Sequence, residues 1–275
     1  MAMAGKLNRD EKPRIVDPVW HDVCAEARQI MADEPAFSNF VISNVLNHNS
    51  LEEAMAYRLS ELLEHADVSS SIIHRAFQDM LQAEPKLAHY FRTDLAATLE
   101  RDPATHRAVE PLLYFKGFHA IQSYRFVHEL WKVGRKDFAQ YLQSRISQVF
   151  QVDIHPAARI GAGIMVDHAT GLVIGETAVV GDNVSILHAV TLGGTGKEDG
   201  DRHPKIGSGV MIGAGAKILG NIKIGNCARV AAGSVVLKDV PKCMTVAGVP
   251  AKVVGEAGCA EPALRMDQML TDGPN

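Results

Sequence analysis

Aliphatic residues recur at every sixth position through the second half of the chain. One uninterrupted series comprises Ile206, Ile212, Ile218, Ile224, Val230 and Val236. Two shorter series with the same spacing precede it: Ile154, Ile160, Val166, and then Ile174, Val180, Ile186, Leu192. A helix repeats every 3.6 residues and a half-buried strand every two, so neither produces this period. A short fixed repeat with one aliphatic residue per unit predicts a β-solenoid, in which each unit forms one face of a coil.

The six-residue spacing is interrupted twice, and both interruptions contain histidine. Val166 and Ile174 are eight positions apart, and the segment between them includes Asp167-His168-Ala169-Thr170-Gly171. Leu192 and Ile206 are fourteen positions apart, and the segment between them includes Arg202 and His203. Insertions in a solenoid leave one face as loops, and such loops commonly carry the binding function. We therefore expect the chemistry of this protein at these two loops.

The first half of the chain reads as helices separated by proline and by capping residues. Ser50-Leu51-Glu52-Glu53 is a capping box that opens one of them. The predicted helices span Pro18–Ala32, Pro35–His48, 51–65, Ser69–Ala83, Pro85–Glu100, Pro111–Val133 and Arg135–Val149. The six-residue period begins near Asp153. The sequence thus predicts an α + β chain: an all-α domain over residues 1–150 that also serves oligomerisation, a solenoid over 151–255, and a flexible tail over 256–275.

Composition narrows the functional classes. The 275 residues carry a formal net charge of −4, which provides no electrostatic footprint for nucleic acid or an anionic membrane. The N-terminal residues lack an apolar signal segment, so we expect a cytoplasmic protein. The four cysteines are far apart in sequence and form no CxxC motif, which favours free thiols over disulfides in that compartment: Cys24, Cys227, Cys243 and Cys259.

Several segments resemble the bacterial serine acetyltransferases, which are hexapeptide-repeat acyltransferases. These segments are Asp153–Pro156, Asp167–Gly171, Thr191–Gly196, Asp199–Ile206 and Ala247–Ala251, and the helical half with Arg101–Ala104 matches in layout. The six-residue period alone indicates only the wider acyltransferase class, whereas the two histidine-containing loops are more specific. The resemblance implies a left-handed parallel β-helix. It also implies transfer of the acetyl group of acetyl-CoA to L-serine, giving O-acetyl-L-serine and CoA, the first step of cysteine biosynthesis from serine.

The resemblance assigns the base that such a reaction needs. An alcohol is a poor nucleophile, so a positioned group must take its proton as it attacks. That group is implied to be His168, with Asp153 accepting a hydrogen bond from its other ring nitrogen, and no metal is implied. Fifteen residues separate the two, close to one coil of eighteen, so neighbouring coils can bring them together. A solitary histidine at a coil corner would more often make only a polar contact.

L-Serine is a zwitterion, so its site needs a cation and an anion. Arg202, with His203 beside it, is implied to hold the carboxylate, because a guanidinium offers a planar pair of donors. Asp102 and Asp167 are implied to hold the ammonium group. Each acid also has a plainer interpretation: Asp102 precedes Pro103 as a helix N-cap would, and Asp167 would suit an exposed loop.

The acetyl-CoA site is implied to involve small residues. Gly194 and Thr195 would lie near the thioester, where backbone N–H groups can stabilise an oxyanion. The CoA arm would follow a groove between adjacent solenoids past Ala214 and Ala232. A glycine-rich segment alone would usually be only a flexible loop.

The number of coils and the family resemblance also predict partners of this protein. Four to five coils leave flat faces uncovered, which favours a homotrimer or a dimer of trimers. L-Cysteine is the expected feedback inhibitor. In the family, a tail ending in isoleucine docks into O-acetylserine sulfhydrylase, but this chain ends Thr271-Asp272-Gly273-Pro274-Asn275, which argues against that partnership.

Three other classes remain open on the sequence. One is an acyltransferase of the same fold acting on a sugar or another amine, and one is a non-catalytic scaffold. The third is a metal-dependent hydratase on the same solenoid. Its ligands would be histidines, yet the solenoid histidines show no compact pair, being separated by 13, 20 and 15 residues: His155, His168, His188 and His203.

Overall fold

The computed structural model describes residues 17–196, 199–258 and 261–267. Helices fill the first part of the described chain: α1 Pro18–Asp33, a 3-10 turn Pro35–Phe37, α2 Ser38–Val41, a π-helical turn Ile42–Leu46, α3 Leu51–Leu63, α4 Ser70–Ala83, α5 Lys86–Arg101, α6 Val109–Tyr114, α7 Lys116–Lys132 and α8 Lys136–Phe150. Strands follow: β1 Val152–Ile154, β2 Arg159–Ile160, β3 Met165–Val166, β4 Leu172–Ile174, β5 Val179–Val180, β6 Ser185–Ile186, β7 Thr191–Gly193, β8 Lys205–Ile206, β9 Met211–Ile212, β10 Lys217–Leu219, β11 Lys223–Ile224, β12 Arg229–Val230, β13 Val235–Val236, β14 Met244–Gly248 and β15 Ala251–Glu256. A short helix, α9, spans Pro262–Arg265.

Two predicted helices are divided in the structure. The segment predicted as Pro35–His48 contains 3-10, α and π turns in succession, and the Asn44 side chain donates to the Phe40 carbonyl at 2.8 Å within it. The segment predicted as Pro111–Val133 breaks at Phe115, whose backbone is extended (φ −86°, ψ 106°). This break allows α7 to begin anew at Lys116, beside the solenoid.

The strands build a parallel solenoid of three sheets, as the six-residue period predicts. The first sheet has the order β1-β4-β7-β10-β13, the second β11-β8-β5-β2, and the third β15-β14-β12-β9-β6-β3, in which β14 and β15 alone are antiparallel. The aliphatic series point inward and are at most 8% exposed, apart from the partly buried Val166. In the first sheet Ile154, Ile174, Leu192, Ile218 and Val236 stack in register.

A buried ion pair joins the helices to the solenoid. Arg125 on α7 contacts the carboxylate of Asp94 on α5 through two nitrogens, at 2.7 and 2.9 Å. The same carboxylate accepts from the Ile164 amide at 2.8 Å, and Arg125 donates to the Gly161 carbonyl at 2.8 Å. Because every partner is supplied, the charges are compensated away from water. This network fixes α5 and α7 against the first coil.

The chain beyond the solenoid is more ordered than the flexible tail predicted for 256–275. Strand β15 continues to Glu256, and Ala263 on α9 is fully buried. The Ala263 carbonyl accepts a 2.9 Å hydrogen bond from Ser185, whose hydroxyl is also 3.2 Å from the buried Arg101 guanidinium. Buried polar groups need such partners, so the segment packs instead of remaining free. Residues 259–260 and 268–275, where the rest of the predicted tail falls, lie outside the described residues.

Candidate active site

A cleft of about 350 Å³ lies where the helices meet the third sheet. Its walls come from the ends of α5 and α6, the first turn of α7, and strand β3 with the loop that follows it. Three of the site residues predicted from sequence line this one cleft: Asp102, Asp167 and His168. The structure therefore brings together two acids and a histidine that are up to 66 positions apart in sequence.

His168 lies on the first inserted loop, at the corner between β3 and β4. Both His168 (φ +54°) and Ala169 (φ +63°) adopt left-handed backbone conformations. These are uncommon for residues with a side chain and occur often at functional sites. The His168 side chain is 74% exposed, with Nε2 at 3.6 Å from Asp167 Oδ1, and its ring centroid is 5.9 Å from that of His188. The imidazole thus projects into solvent at the mouth of the cleft.

Asp102 ends helix α5 and closes the turn after it. Its Oδ1 accepts from the Ala104 amide at 2.9 Å and its Oδ2 from the Thr105 hydroxyl at 2.7 Å. The next helix, α6, begins only at Val109, so Asp102 is not the N-cap that Pro103 suggested. The turn holds the carboxylate at the cleft, where it can also meet a cation.

Asp153 lies on β1 and does not contact His168 in the described single chain. In the parallel register Asp153, the central residue of the edge strand β1, lies beside Val173 of β4, while His168 lies in the corner loop that precedes β4. The Asp153 carboxylate instead accepts a 2.7 Å hydrogen bond from Gln143 on α8. The pairing expected from sequence is therefore not formed in this conformation.

Arg202 and His203 form a second group of polar residues with Glu176 and Thr177. Arg202 donates to Glu176 at 2.8 Å, and this bond lowers the pKa of the Glu176 carboxyl. The Thr177 amide donates to His203 Nδ1 at 3.2 Å, so Nδ1 is the acceptor nitrogen. Burial lowers the pKa of His203, which keeps its imidazole neutral. An added Cβ at Gly175 would lie 2.0 Å from this ring, so only glycine fits there.

These two groups occupy opposite edges of one solenoid face. Strand β4 (Leu172–Ile174) runs from the corner that carries His168 to the corner that carries Glu176 and Arg202. Within one chain, Arg202 therefore does not reach the cleft that holds Asp102. The predicted serine site is divided between two corners.

Two of the residues expected to contact CoA, Ala214 and Ala232, lie in later coils along the same corner of the solenoid as His168. Backbone hydrogen bonds link Ala189 to Thr170, Gly215 to His188 and Gly233 to Ala214 at 2.7–2.9 Å, one coil apart. Positions 170, 188, 214 and 232 therefore form one column along this corner. Its last two members are alanines, which leave room beside the edge. Gly194 and Thr195 directly follow β7, and an added Cβ at Gly194 would lie 3.4 Å from the Arg202 side chain.

Three contacts were not foreseen from the sequence. Lys116 lines the cleft, Gln143 holds Asp153, and Glu176 holds Arg202. Each depends on how two distant segments pack, and none belongs to a local motif. Only Glu176 has a sequence signal, because it follows the repeat position Ile174 at a coil corner.

Residues 17–196, 199–258 and 261–267 contain neither a metal-binding cluster nor a membrane-spanning helix. Within these ranges, no group of three His, Cys, Asp or Glu side chains is arranged to hold a metal ion. Within the same ranges, no helix has both the length and the apolar character needed to cross a bilayer.

A solenoid of hexapeptide units, with a histidine on an inserted corner loop, defines the class of hexapeptide-repeat transferases. Residues 203–238 match the family model "Bacterial transferase hexapeptide (six repeats)". Residues 19–123 match the model "Serine acetyltransferase, N-terminal". Both halves of the chain thus match a known family.

Full-length relatives identify the particular family. The serine acetyltransferase of Salmonella typhimurium is 51% identical over 250 residues, which cover 91% of this chain and 92% of that protein. This chain therefore belongs to the serine acetyltransferase family. The prediction made from its motifs is confirmed.

Solved structures of related enzymes agree in fold. The Brucella abortus serine acetyltransferase in complex with coenzyme A is 60% identical, with a TM-score of 0.87 over 89% of this chain and 98% of that one. The Neisseria gonorrhoeae enzyme in complex with serine is 51% identical, with a TM-score of 0.84 over 88% and 100% of the two chains. A serine acetyltransferase in complex with cysteine is 49% identical, with a TM-score of 0.90 over 92% and 99%.

Proposed function

We propose that this protein transfers the acetyl group of acetyl-CoA to the hydroxyl of L-serine, giving O-acetyl-L-serine and CoA. The observation that carries this proposal is the cleft that gathers Asp102, Asp167 and His168 in a chain of this family. Two carboxylates suit the ammonium group of an amino acid, and an exposed imidazole suits a proton acceptor.

His168 acts as the general base in this reaction. Its imidazole takes the serine hydroxyl proton while the oxygen attacks the thioester carbon. The tetrahedral intermediate then expels CoA by breaking the C–S bond, and the imidazolium returns the proton to the thiolate. No acetyl-enzyme is needed, because the substrate supplies the hydroxyl that the enzyme supplies in a serine triad.

Asp153 orients His168 once the substrates are bound. The exposed His168 ring has room to turn, and catalytic hydrogen bonds often tighten only in the substrate complex. A carboxylate on the second ring nitrogen fixes the tautomer and stabilises the imidazolium. Gln143 already holds one Asp153 oxygen, which leaves the other for this role.

Asp102 and Asp167 hold the ammonium group of serine. Asp102 is fixed by its turn at the end of α5, and Asp167 precedes the base directly. A ligand bound between them would place its hydroxyl near His168, because all three line the same cleft.

Arg202 and His203 bind the serine carboxylate from a neighbouring copy of the chain. In the described chain they lie across the first sheet from the cleft, and Glu176 holds the guanidinium in place. The exposed Val173 (37%) on the outer side of this sheet adds an apolar surface that association would cover. Side-by-side packing of three chains would place one chain's Arg202 corner at the next chain's His168 corner. This arrangement supports a trimer whose sites are shared between chains.

Acetyl-CoA lies along the His168 corner in this proposal. The column that continues through His188 ends in Ala214 and Ala232, whose small side chains leave space for the pantetheine arm. Gly194 and Thr195, at the start of the second loop beside Arg202, supply backbone donors to the thioester oxygen. L-Cysteine differs from serine only by sulfur for oxygen, so it would occupy the same site as an inhibitor.

The direct test measures CoA release from acetyl-CoA with a thiol-reactive dye, with and without an acceptor. We expect release with L-serine and little with D-serine or with a panel of hydroxyl-bearing sugars. Mass spectrometry of the product should show one added acetyl group on serine oxygen. Release that is equally fast with sugars, or that is independent of L-serine, would contradict the proposed acceptor.

A further inference from the structure

The loop that carries His168 needs external support. Two consecutive non-glycine residues in left-handed conformations are strained, and they persist only when neighbouring contacts hold them. Ala169, the second of them, is fully buried. The loop backbone also forms a tight turn, in which the Thr170 amide donates to the His168 carbonyl at 2.7 Å. What fixes this loop therefore also fixes the imidazole.

A chain of two hydrogen bonds reaches this loop from the helical half. The Lys116 ammonium on α7 donates to the Thr170 hydroxyl oxygen. The Thr170 hydroxyl donates in turn to the His168 carbonyl at 3.4 Å. Lys116 is thus connected to the backbone of His168 through one intermediate residue.

The first turn of α7 is itself held against the same segment. An added Cβ at Gly117 would lie 2.0 Å from the Val166 carbonyl oxygen and 3.3 Å from Ala169 Cβ. Such an approach is possible only for glycine and leaves Lys116 little freedom to move relative to residues 166–170. Lys116 therefore extends from a fixed backbone to the loop.

We propose that Lys116 is a positioning residue, which holds the His168 loop in its left-handed conformation through the Thr170 hydroxyl. This inference rests on the proposed role of His168 as base. The lysine also lines the cleft, so direct contact with the serine carboxylate is the competing role. The two roles predict different activities for a variant in which both Lys116 and Thr170 are changed.

The experiment uses the full-length protein with Lys116→Met, Thr170→Val and the double variant. Both substitutions retain approximate size and remove the hydrogen bond. We expect each single change to lower kcat about tenfold, since small displacements of a catalytic group are costly, with KM for both substrates within about twofold of the unaltered enzyme. The double variant should be no slower than either single variant, and Lys116→Arg should regain most of the rate. Lys86→Met, at the first residue of α5, is the matched control and should retain full activity.

Hydrogen exchange of the 165–172 segment supplies a readout that does not require activity. Its amides should exchange faster in both single variants, while exchange elsewhere on the solenoid is unchanged. Unchanged exchange in this segment would refute the positioning role, whether or not the protein acetylates serine. A rise in KM for L-serine with kcat retained, additive with Thr170→Val, would show instead that Lys116 contacts the substrate. Absence of serine acetylation by the unaltered protein would overturn the proposed function, and the exchange result would still decide the contact.

Discussion

Gln143 Nε2 donates to Asp153 Oδ1 across 2.7 Å, which ties helix α8 to the first strand of the solenoid. The contact joins the last helix of the helical half to the acid proposed to orient the base. The second Asp153 oxygen is the one that we propose contacts His168. Activity should therefore depend on residues in both halves of the chain.

The first prediction concerns this group of residues. His168→Ala should lower kcat by roughly two to four orders of magnitude, as expected for loss of a general base. Asp153→Asn should cost less, because the base remains but is poorly oriented. Gln143→Leu should cost less again, about three- to tenfold, because Asp153 keeps its charge but loses its restraint. Steady-state kinetics measure all three.

Two controls separate chemistry from folding in that series. Gln148 lies on the same helix and its side chain hydrogen-bonds to Ser144 and Arg145, away from Asp153, so Gln148→Leu should retain activity. Circular dichroism should be unchanged in every variant. A His168→Ala variant that folds normally and retains most of its turnover would disprove the assignment of the base.

The fold was predictable because each coil repeats its aliphatic position at a fixed interval. The aliphatic residues of the series from Ile206 to Val236 all point into the solenoid, so one six-residue period determines many core contacts. The corner loops were equally visible as breaks in that period. The class and the reaction were then reached from the motifs on those two loops.

The division of the site between two corners was not predictable in the same way. Sequence spacing suggested that Asp153 and His168 would meet, yet the register places Val173 beside Asp153. Contacts between the halves, such as Lys116 with Thr170, depend on the break at Phe115 and the close approach of Gly117. Such packing has no repeating signal in the chain.

L-Cysteine should inhibit competitively against L-serine. It presents the same ammonium and carboxylate groups, so Asp102, Asp167 and Arg202 would hold it equally well. Initial rates at several L-serine concentrations should give inhibition that saturating serine overcomes, and D-cysteine should inhibit far less. Asp167→Asn should weaken cysteine inhibition and raise KM for serine by similar factors. Inhibition that persists undiminished at saturating serine would place cysteine elsewhere.

The stability of the protein should fall in mild acid because of His119. Burial lowers the pKa of His119 from 6.5 to about 4, and its Nε2 lies 2.7 Å from the Leu112 carbonyl. As the pH falls, the unfolded chain therefore binds a proton on this residue at a higher pH than the folded chain does. The contribution of the neutral His119 to the free energy of unfolding is fully present above pH 6.5. It is lost as the pH falls toward 4, and the total loss is roughly 3 kcal/mol.

Chemical denaturation at fixed protein concentration, from pH 7 to pH 4, measures this effect. His119→Gln can keep the hydrogen bond to Leu112 without titrating, so its unfolding free energy should decline less steeply with falling pH. His65→Gln, at an exposed turn, is the control and should decline as the unaltered protein does. Identical slopes for His119→Gln and the unaltered protein would show that this histidine does not govern the acid limb.

The last prediction tests whether each active site is shared between two chains. His168 and Arg202 lie at opposite edges of one face, so a chain lacking either residue should be inactive when it assembles with identical copies. Mixed assemblies of His168→Ala and Arg202→Ala chains differ, because some sites combine an intact His168 with a neighbour's intact Arg202. Tandem purification retains only rings that contain both chains, and in a closed ring of three each such ring has one intact site of three, so roughly a third of the full activity per site should be restored. Co-expression with two different affinity tags, followed by tandem purification and CoA-release assays, measures this recovery. A mixture as inactive as its parents would show that both residues serve the same site within one chain.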